Sequence, residues 1–282
     1  MTPKPLTYTQ LILRRFLRHR LAVLGGVVLL LFIASALFAP LISPYPVDDQ
    51  DLFNITQGPS TAHLLGTDDL GRDLLTRLLH GGRISLLVGI ASSLIATAIG
   101  TVVGALAGYY SGTVDNLLMR LVDVLLAFPS IFLLLILFSV IGTSVGLVIG
   151  FLGAFGWMYL ARIIRGEMLL VREKNFVEAA RAQGVGSLRL ITRHLLPNVT
   201  GVLIVNTTLQ IAYNLLAEGT LSFLGFGVPA STPTWGNILY SAASYARSAP
   251  WYVLFPGALL TLSILAVNFL GDGLRDALDP RG

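Results

Sequence analysis

Of 282 residues, 54% are hydrophobic and 12% charged, about half the charged share of an ordinary soluble domain. This balance excludes a typical water-soluble enzyme and points to lipid as the solvent. The chain has no cysteine, which removes disulfides, thiol catalysis and cysteine-ligated zinc or iron-sulfur chemistry. A net charge of +4 would suit nucleic acid, but the placement of the cations argues for membrane orientation instead, so no nucleic-acid partner is expected.

A membrane-spanning helix needs about 20 apolar residues, because ~30 Å of hydrocarbon is crossed at 1.5 Å per residue. Residues 21–42 carry no charge and form the first predicted span. Basic residues precede them and Ala34-Ser35-Ala36 lies within them, as in a cleaved signal peptide, but the run is longer than a signal core. A polar outer segment follows, opening on the extended or turn-like Ser43-Pro44-Tyr45-Pro46. Thr67 can then cap an amphipathic helix with Leu70, Leu74, Leu75, Leu78 and Leu79 on one face and Arg72, Asp73 and Arg77 on the other. Such a helix is expected to lie at the outer interface and to end at Gly81-Gly82. The second span covers 84–110, where Gly100, Gly104 and Gly108 form a small-residue seam for close packing. The uncharged stretch 124–161 is too long for one crossing. Gly142-Thr143-Ser144 near its middle divides it into the third and fourth spans.

The only long inner loop runs over 162–197. A helix over 172–183, a turn at Gly184 and a second short helix capped by Ser187 and stopped by Pro197 make a helix-turn-helix elbow. The fifth span begins at Asn198 and carries Asn206, Gln210, Asn214 and Glu218. Four residues turn a helix only about 40° past a full turn, so these four form one polar stripe. Polar groups in a span normally face a bundle interior or a wet cavity, and the stripe is expected to line a path through the membrane. Amides bridging neighbouring helices are the alternative. The outer segment 223–250 holds Trp235 among aromatics that mark the membrane-water belt, and the sixth span occupies 251–271.

Six spans put both termini on one side. If that side is the cytoplasm, only Arg72, Arg77, Arg83 and Arg247 of the 19 Lys and Arg lie outside, as the positive-inside rule requires. The expectation is an all-α membrane protein with cytoplasmic termini. No catalytic or metal-binding residue is expected. Neither lysine, Lys4 nor Lys174, follows a glycine, so there is no Walker A loop. Gly142-Thr143-Ser144-Val145-Gly146 matches a nucleophile pattern but bridges two membrane helices, where a turn is the better reading. The four histidines share no metal-ligand spacing. His63 near Asp68 and Asp69 is the single candidate ligand, read as a solvated loop residue.

Glu178-Ala179-Ala180, then Gly184, then His194-Leu195-Leu196-Pro197 resembles the EAA loop of ABC importer permeases, whose short coupling helix docks on an ATPase subunit. His194 stands where many members carry isoleucine. Leu65-Gly66-Thr67-Asp68-Asp69-Leu70-Gly71-Arg72-Asp73, Pro233-Thr234-Trp235-Gly236 and the C-terminal stretch 271–280 resemble the dipeptide, oligopeptide and nickel branch, "C" type. The resemblance implies a type I ABC importer permease fold. Residues 1–82 would hold the N-terminal segment, first span and outer segment, and 83–282 a five-helix core with its coupling loop at 166–197. It further implies a homologous second permease, two ABC ATPases that bind the ATP and Mg, an extracytoplasmic solute-binding protein, and a bacterial or archaeal cell membrane. The expected cargo is short peptides, with nickel or metal chelates, glutathione or another small solute as alternatives. An intramembrane enzyme or a receptor is the different-class alternative. Glu178, Ala179, Ala180, Gly184, His194 and Pro197 would couple to the ATPase. Arg72, Asp73, Arg77 and Trp235 would form the outer gate or meet the binding protein.

Overall fold

The computed structural model describes residues 8–278. Lys4, Arg281 and the end of the C-terminal motif, Asp279-Pro280, lie outside the described residues. Among the described residues the chain is all-helical, with one isolated antiparallel bridge between Thr67 and Asp73. In order come α1 (Tyr8–Arg18), α2 (Arg20–Leu37), α3 (Ala39–Ile42), α4 (Leu74–Tyr110), α5 (Gly112–Leu126), α6 (Ser130–Ile141), α7 (Val145–Gly156), α8 (Met158–Arg172), α9 (Asn175–Ala182), α10 (Ser187–Leu190), α11 (Leu196–Phe223), α12 (Trp235–Ala243) and α13 (Pro250–Leu278). A π-helical turn, Ile191–Leu195, joins α10 to α11.

Among the described residues five helical stretches are long and apolar enough to cross a membrane, and six if α5 and α6, bent by 72° from each other, count as one. The bend falls at Phe128-Pro129, because a residue before proline is pushed out of the helical region. Counted as one, the bent pair starts earlier than its uncharged stretch, at Gly112 rather than Val124. Gly142, at φ +82°, breaks the chain between α6 and α7. Ser144 then caps α7 by accepting a bond from the Leu147 N–H at 3.2 Å, so its hydroxyl serves a turn.

Helix α4 is the spine. It packs against α7, α8 and α11, while α13 bridges α2, α11 and α12. Its glycine seam faces α8. A methyl group at Gly100 would stand 2.8 Å from the Trp157 carbonyl oxygen, at Gly104 2.5 Å from that of Ala161, and at Gly108 2.7 Å from that of Arg165. Backbone meets backbone along this line, which only glycine permits.

Two expectations about α4 are corrected. Gly81-Gly82 does not end a separate outer helix but lies inside one continuous 37-residue helix. Both glycines are buried where the chain at Thr234 and Trp235 presses on α4. A methyl at Gly82 would sit 2.7 Å from the Trp235 ring. Nor does Thr67 cap the helix. Asp73 does, accepting from the Thr76 N–H at 2.8 Å.

Candidate functional site

Three regions hold the residues singled out from sequence. The first is the elbow. Helix α9 ends at Ala182 with Gln183 as its C-cap, and Gly184 takes φ +78°, a conformation that costs a side-chain-bearing residue roughly 1–2 kcal/mol. A methyl group there would meet open space, so the glycine is required by backbone geometry and not by close packing within the chain. Ser187 is the first residue of α10, not its cap. Pro197 does not stop a helix but sits in the first turn of α11, where its missing N–H costs nothing.

Glu178, Ala179, Arg181 and Arg189 are exposed, and His194 is half-buried. Beneath them Val177, Ala180, Leu190, Ile191 and Leu195 are buried in one cluster with Ile164, Met168 and Val171 of α8 and Val199 of α11. The alternating pattern arises because the apolar positions of two short helices face the same way. Arg172 donates to the carbonyls of Gly108 and Tyr109 at 3.2 and 3.4 Å, and Arg181 lies over the Tyr109 ring at 5.5 Å. The elbow is thus keyed onto the bundle while its tip stands clear. Leu188 projects there, 76% exposed. A lone leucine in a basic stretch offered no sequence signal for this role.

The second region is the polar stripe of α11, which the structure splits in two. Asn214 and Glu218 are fully enclosed and face α4. Asn214 donates to Ser92 Oγ at 2.7 Å and Ser93 Oγ at 3.0 Å. Glu218 accepts from Ser85 at 3.0 Å and Ser222 at 2.8 Å. The bonds to Ser85, Ser92 and Ser93 bridge α11 to α4, and both residues are fully buried. Asn206 and Gln210 are half-buried. Gln210 donates to Asn214 Oδ1 at 2.9 Å, and the Asn206 amide returns to the Val202 carbonyl at 2.8 Å.

On the Gln210 side, α6, α7 and α11 border a small cleft with a cavity volume of about 40 Å³, lined by Ser130, Leu134, Phe155, Gly156, Tyr213 and Ala217 among others. Tyr213 is 56% exposed. It falls three residues after Gln210, on the same helix face as Asn206, while the four-residue repeat drifts away and inward. A four-three-four spacing, 206-210-213-217, would have found it.

The third region, the outer segment, corrects the surface reading of Arg72, Asp73, Arg77 and Trp235. Asp68 is wholly buried; it accepts from the Leu70 and Arg72 N–H groups at 2.9 Å each and from Arg72 Nε at 2.6 Å, and forms an ion pair with Arg77, whose Nε stands 3.3 Å away. Asp73, besides capping α4, meets His63 Nδ1 at 3.0 Å, so His63 is committed to that carboxylate. Tyr252 of α13 donates to Asp69 at 2.9 Å. Trp235 is 2% exposed. Its indole donates to the Leu78 carbonyl at 3.0 Å and its backbone N–H to Ser85 Oγ at 3.2 Å. Ser85 therefore links Trp235 to Glu218. The segment is a stapled lid over the outer ends of α4, α11 and α13, and its open face is offered by other residues, among them Phe53 at 97% exposure and Tyr240 at 55%.

Residues 100–281 match the family described as binding-protein-dependent transport system inner membrane component, and residues 7–59 match the N-terminal transmembrane domain of oligopeptide transport permease C. The chain is 44% identical over 269 residues to a Brucella suis protein provisionally named a peptide permease, covering 95% of this chain and 89% of that one. It is 42% identical to the oligopeptide transport system permease protein OppC of Escherichia coli K12 and 43% identical to that of Salmonella typhimurium, each over 270 residues, with the same shares covered.

Proposed function

The chain belongs to the family of binding-protein-dependent transport system inner membrane components, and from that premise we propose that it is the permease subunit of an ATP-driven importer of short peptides in the bacterial inner membrane. The peptide cargo is supported by the oligopeptide permeases among its relatives. A second, homologous permease completes the path, two ABC ATPases bind the ATP and Mg, and an extracytoplasmic binding protein delivers the cargo. The chain crosses six times, with the bent α5–α6 pair as one crossing and both termini cytoplasmic.

The elbow carries this reading. Its exposed strip stands on side chains that belong to the packed bundle, so a partner that moves α9 and α10 must move α8 and α11 with them. ATP binding would draw two such elbows together and turn the cavity outward, and hydrolysis would reset it, a two-state rocking of rigid parts. Gly184→Ile is expected to leave the protein in the membrane but to abolish most transport-linked ATP hydrolysis in the reconstituted complex, because φ +78° is denied to a β-branched residue. Undiminished stimulation by the loaded binding protein would refute the coupling role.

The α11 face at Asn206, Gln210 and Tyr213 is the wall this chain gives to the path, with Asn214 and Glu218 bracing it from behind. Since the chain has no cysteine, single cysteines report access cleanly. A membrane-impermeant thiol reagent is expected to label positions 210 and 213 in the ATP-trapped state and to spare 214. Labelling at 214 with none at 213 would reverse the assignment. The binding protein would meet the open face around Phe53 and Tyr240 instead of Trp235.

A further inference from the structure

Helix α1 takes no part in the elbow, the cleft or the outer lid. At about 100° of turn per residue, Leu13, Leu17, Gln10, Arg14 and Arg18 follow one another round a single arc of α1, and all five are exposed. The other flank is held. Ile12 and Phe16 are half-buried, and the Phe16 ring comes within 3.5 Å of a methyl position at Gly273 of α13. His19 stands 3.6 Å from Asp276 of α13 and caps α2 by accepting from the Ala22 N–H at 3.1 Å. The arc is therefore fixed in direction by contacts at both its flank and its end.

That arc has an apolar half and a cationic half. Leu13 and Leu17, 57% and 59% exposed, begin a series that continues with Leu21 and Leu24, 50% and 56% exposed, on the membrane-spanning α2. Arg14 and Arg18 form the other half, and neither has an ion-pair partner among the described residues; nor does Arg20 at the start of α2. Leucines continuous with a lipid-facing span, beside arginines without counter-charges, match the boundary between acyl chains and phosphate headgroups. We infer that α1 is an interfacial anchor whose Leu13 and Leu17 enter the acyl border and whose Arg14, Arg18 and Arg20 bind the phosphates of anionic phospholipids.

Leu17→Cys, labelled with an environment-sensitive fluorophore, reports the anchor in the full transporter. The complex is placed in nanodiscs of phosphatidylcholine alone or mixed with phosphatidylglycerol. In the mixed discs the label is expected to be shielded. The ratio of embedded to released label should fall about fivefold for Arg14→Gln and again for Arg18→Gln, the worth of one cation at an anionic surface. Arg14→Lys should keep most of it, and added salt should lower it. In phosphatidylcholine alone the glutamine variants should match the parent. Equal shielding in both lipids would overturn the headgroup contact, and absence of shielding in either would overturn the anchor. An arginine dependence that vanishes when the ATPases are omitted would assign the arc to a protein partner and overturn the proposal.

Discussion

Asp68→Ala is expected to destabilise the purified protein by about 3–5 kcal/mol, the usual cost of leaving a buried cation without its partner. Two guanidiniums pair with this carboxylate, their side chains only 12% and 5% exposed, and Arg72 has a second, longer ion pair, to Asp69 at 3.8 Å. One nitrogen of Arg77 already lacks a hydrogen-bond partner, so removing Asp68 takes away the carboxylate with which that buried side chain is paired. The two backbone N–H groups of Leu70 and Arg72 are orphaned as well. The outer segment should loosen from α4 and from Tyr252, with which Asp69 is joined. Asp49→Ala, at an exposed position of the same segment, should change stability by less than about 0.5 kcal/mol. Thermal unfolding in detergent, followed by loss of the monodisperse species, separates the two. If Asp68→Ala melts with Asp49→Ala, the buried network contributes little and Arg72 and Arg77 return to being surface charges.

The second large effect concerns the α4–α8 seam. Gly104→Ala should cost about 1–3 kcal/mol, the range for overpacking a tight core. Its methyl would stand 2.5 Å from the Ala161 carbonyl oxygen and 2.8 Å from Ile164 Cβ. Neither neighbour can yield without parting two long helices. Gly150→Ala is the matched control, because a methyl there meets nothing within 4 Å and glycine in a helix interior is itself worse than alanine by about 0.5–1 kcal/mol. The two substitutions add the same atom and should shift the unfolding midpoint in opposite directions. A shift of the same sign and size would show that α4 and α8 do not pack by backbone contact.

What was legible in the sequence follows from which physical terms are local. The cost of placing a charge in hydrocarbon is set residue by residue, so uncharged runs marked the spans around 21–42, 84–110 and 251–271 before any contact was known. Backbone constraints are equally local. Gly142 and Gly184 were read as turns and take φ +82° and +78°, and the four-residue spacing of Gly100, Gly104 and Gly108 named the face that meets α8.

The fates of polar groups were decided only by tertiary structure, because a charged or hydrogen-bonding residue tolerates either water or a buried partner, and the partner can come from far along the chain. Arg77 and Asp73 read as a solvated face, yet Asp68 and His63 draw them inside. Trp235 read as a belt residue, yet Gly82 and Ser85 of α4, some 150 positions earlier, provide a notch and an acceptor for it. Gly81-Gly82 accordingly serves as a packing notch instead of a helix stop, a distinction that composition cannot carry. The stripe on α11 shows the same division within one helix. Its four polar side chains were visible as a pattern, but which of them turn toward Ser85, Ser92 and Ser93 depended on where α4 packs. Uncharged runs and turn glycines are written in the order of residues, whereas the burial of Asn214 and Glu218 rests on pairings between residues distant in the chain.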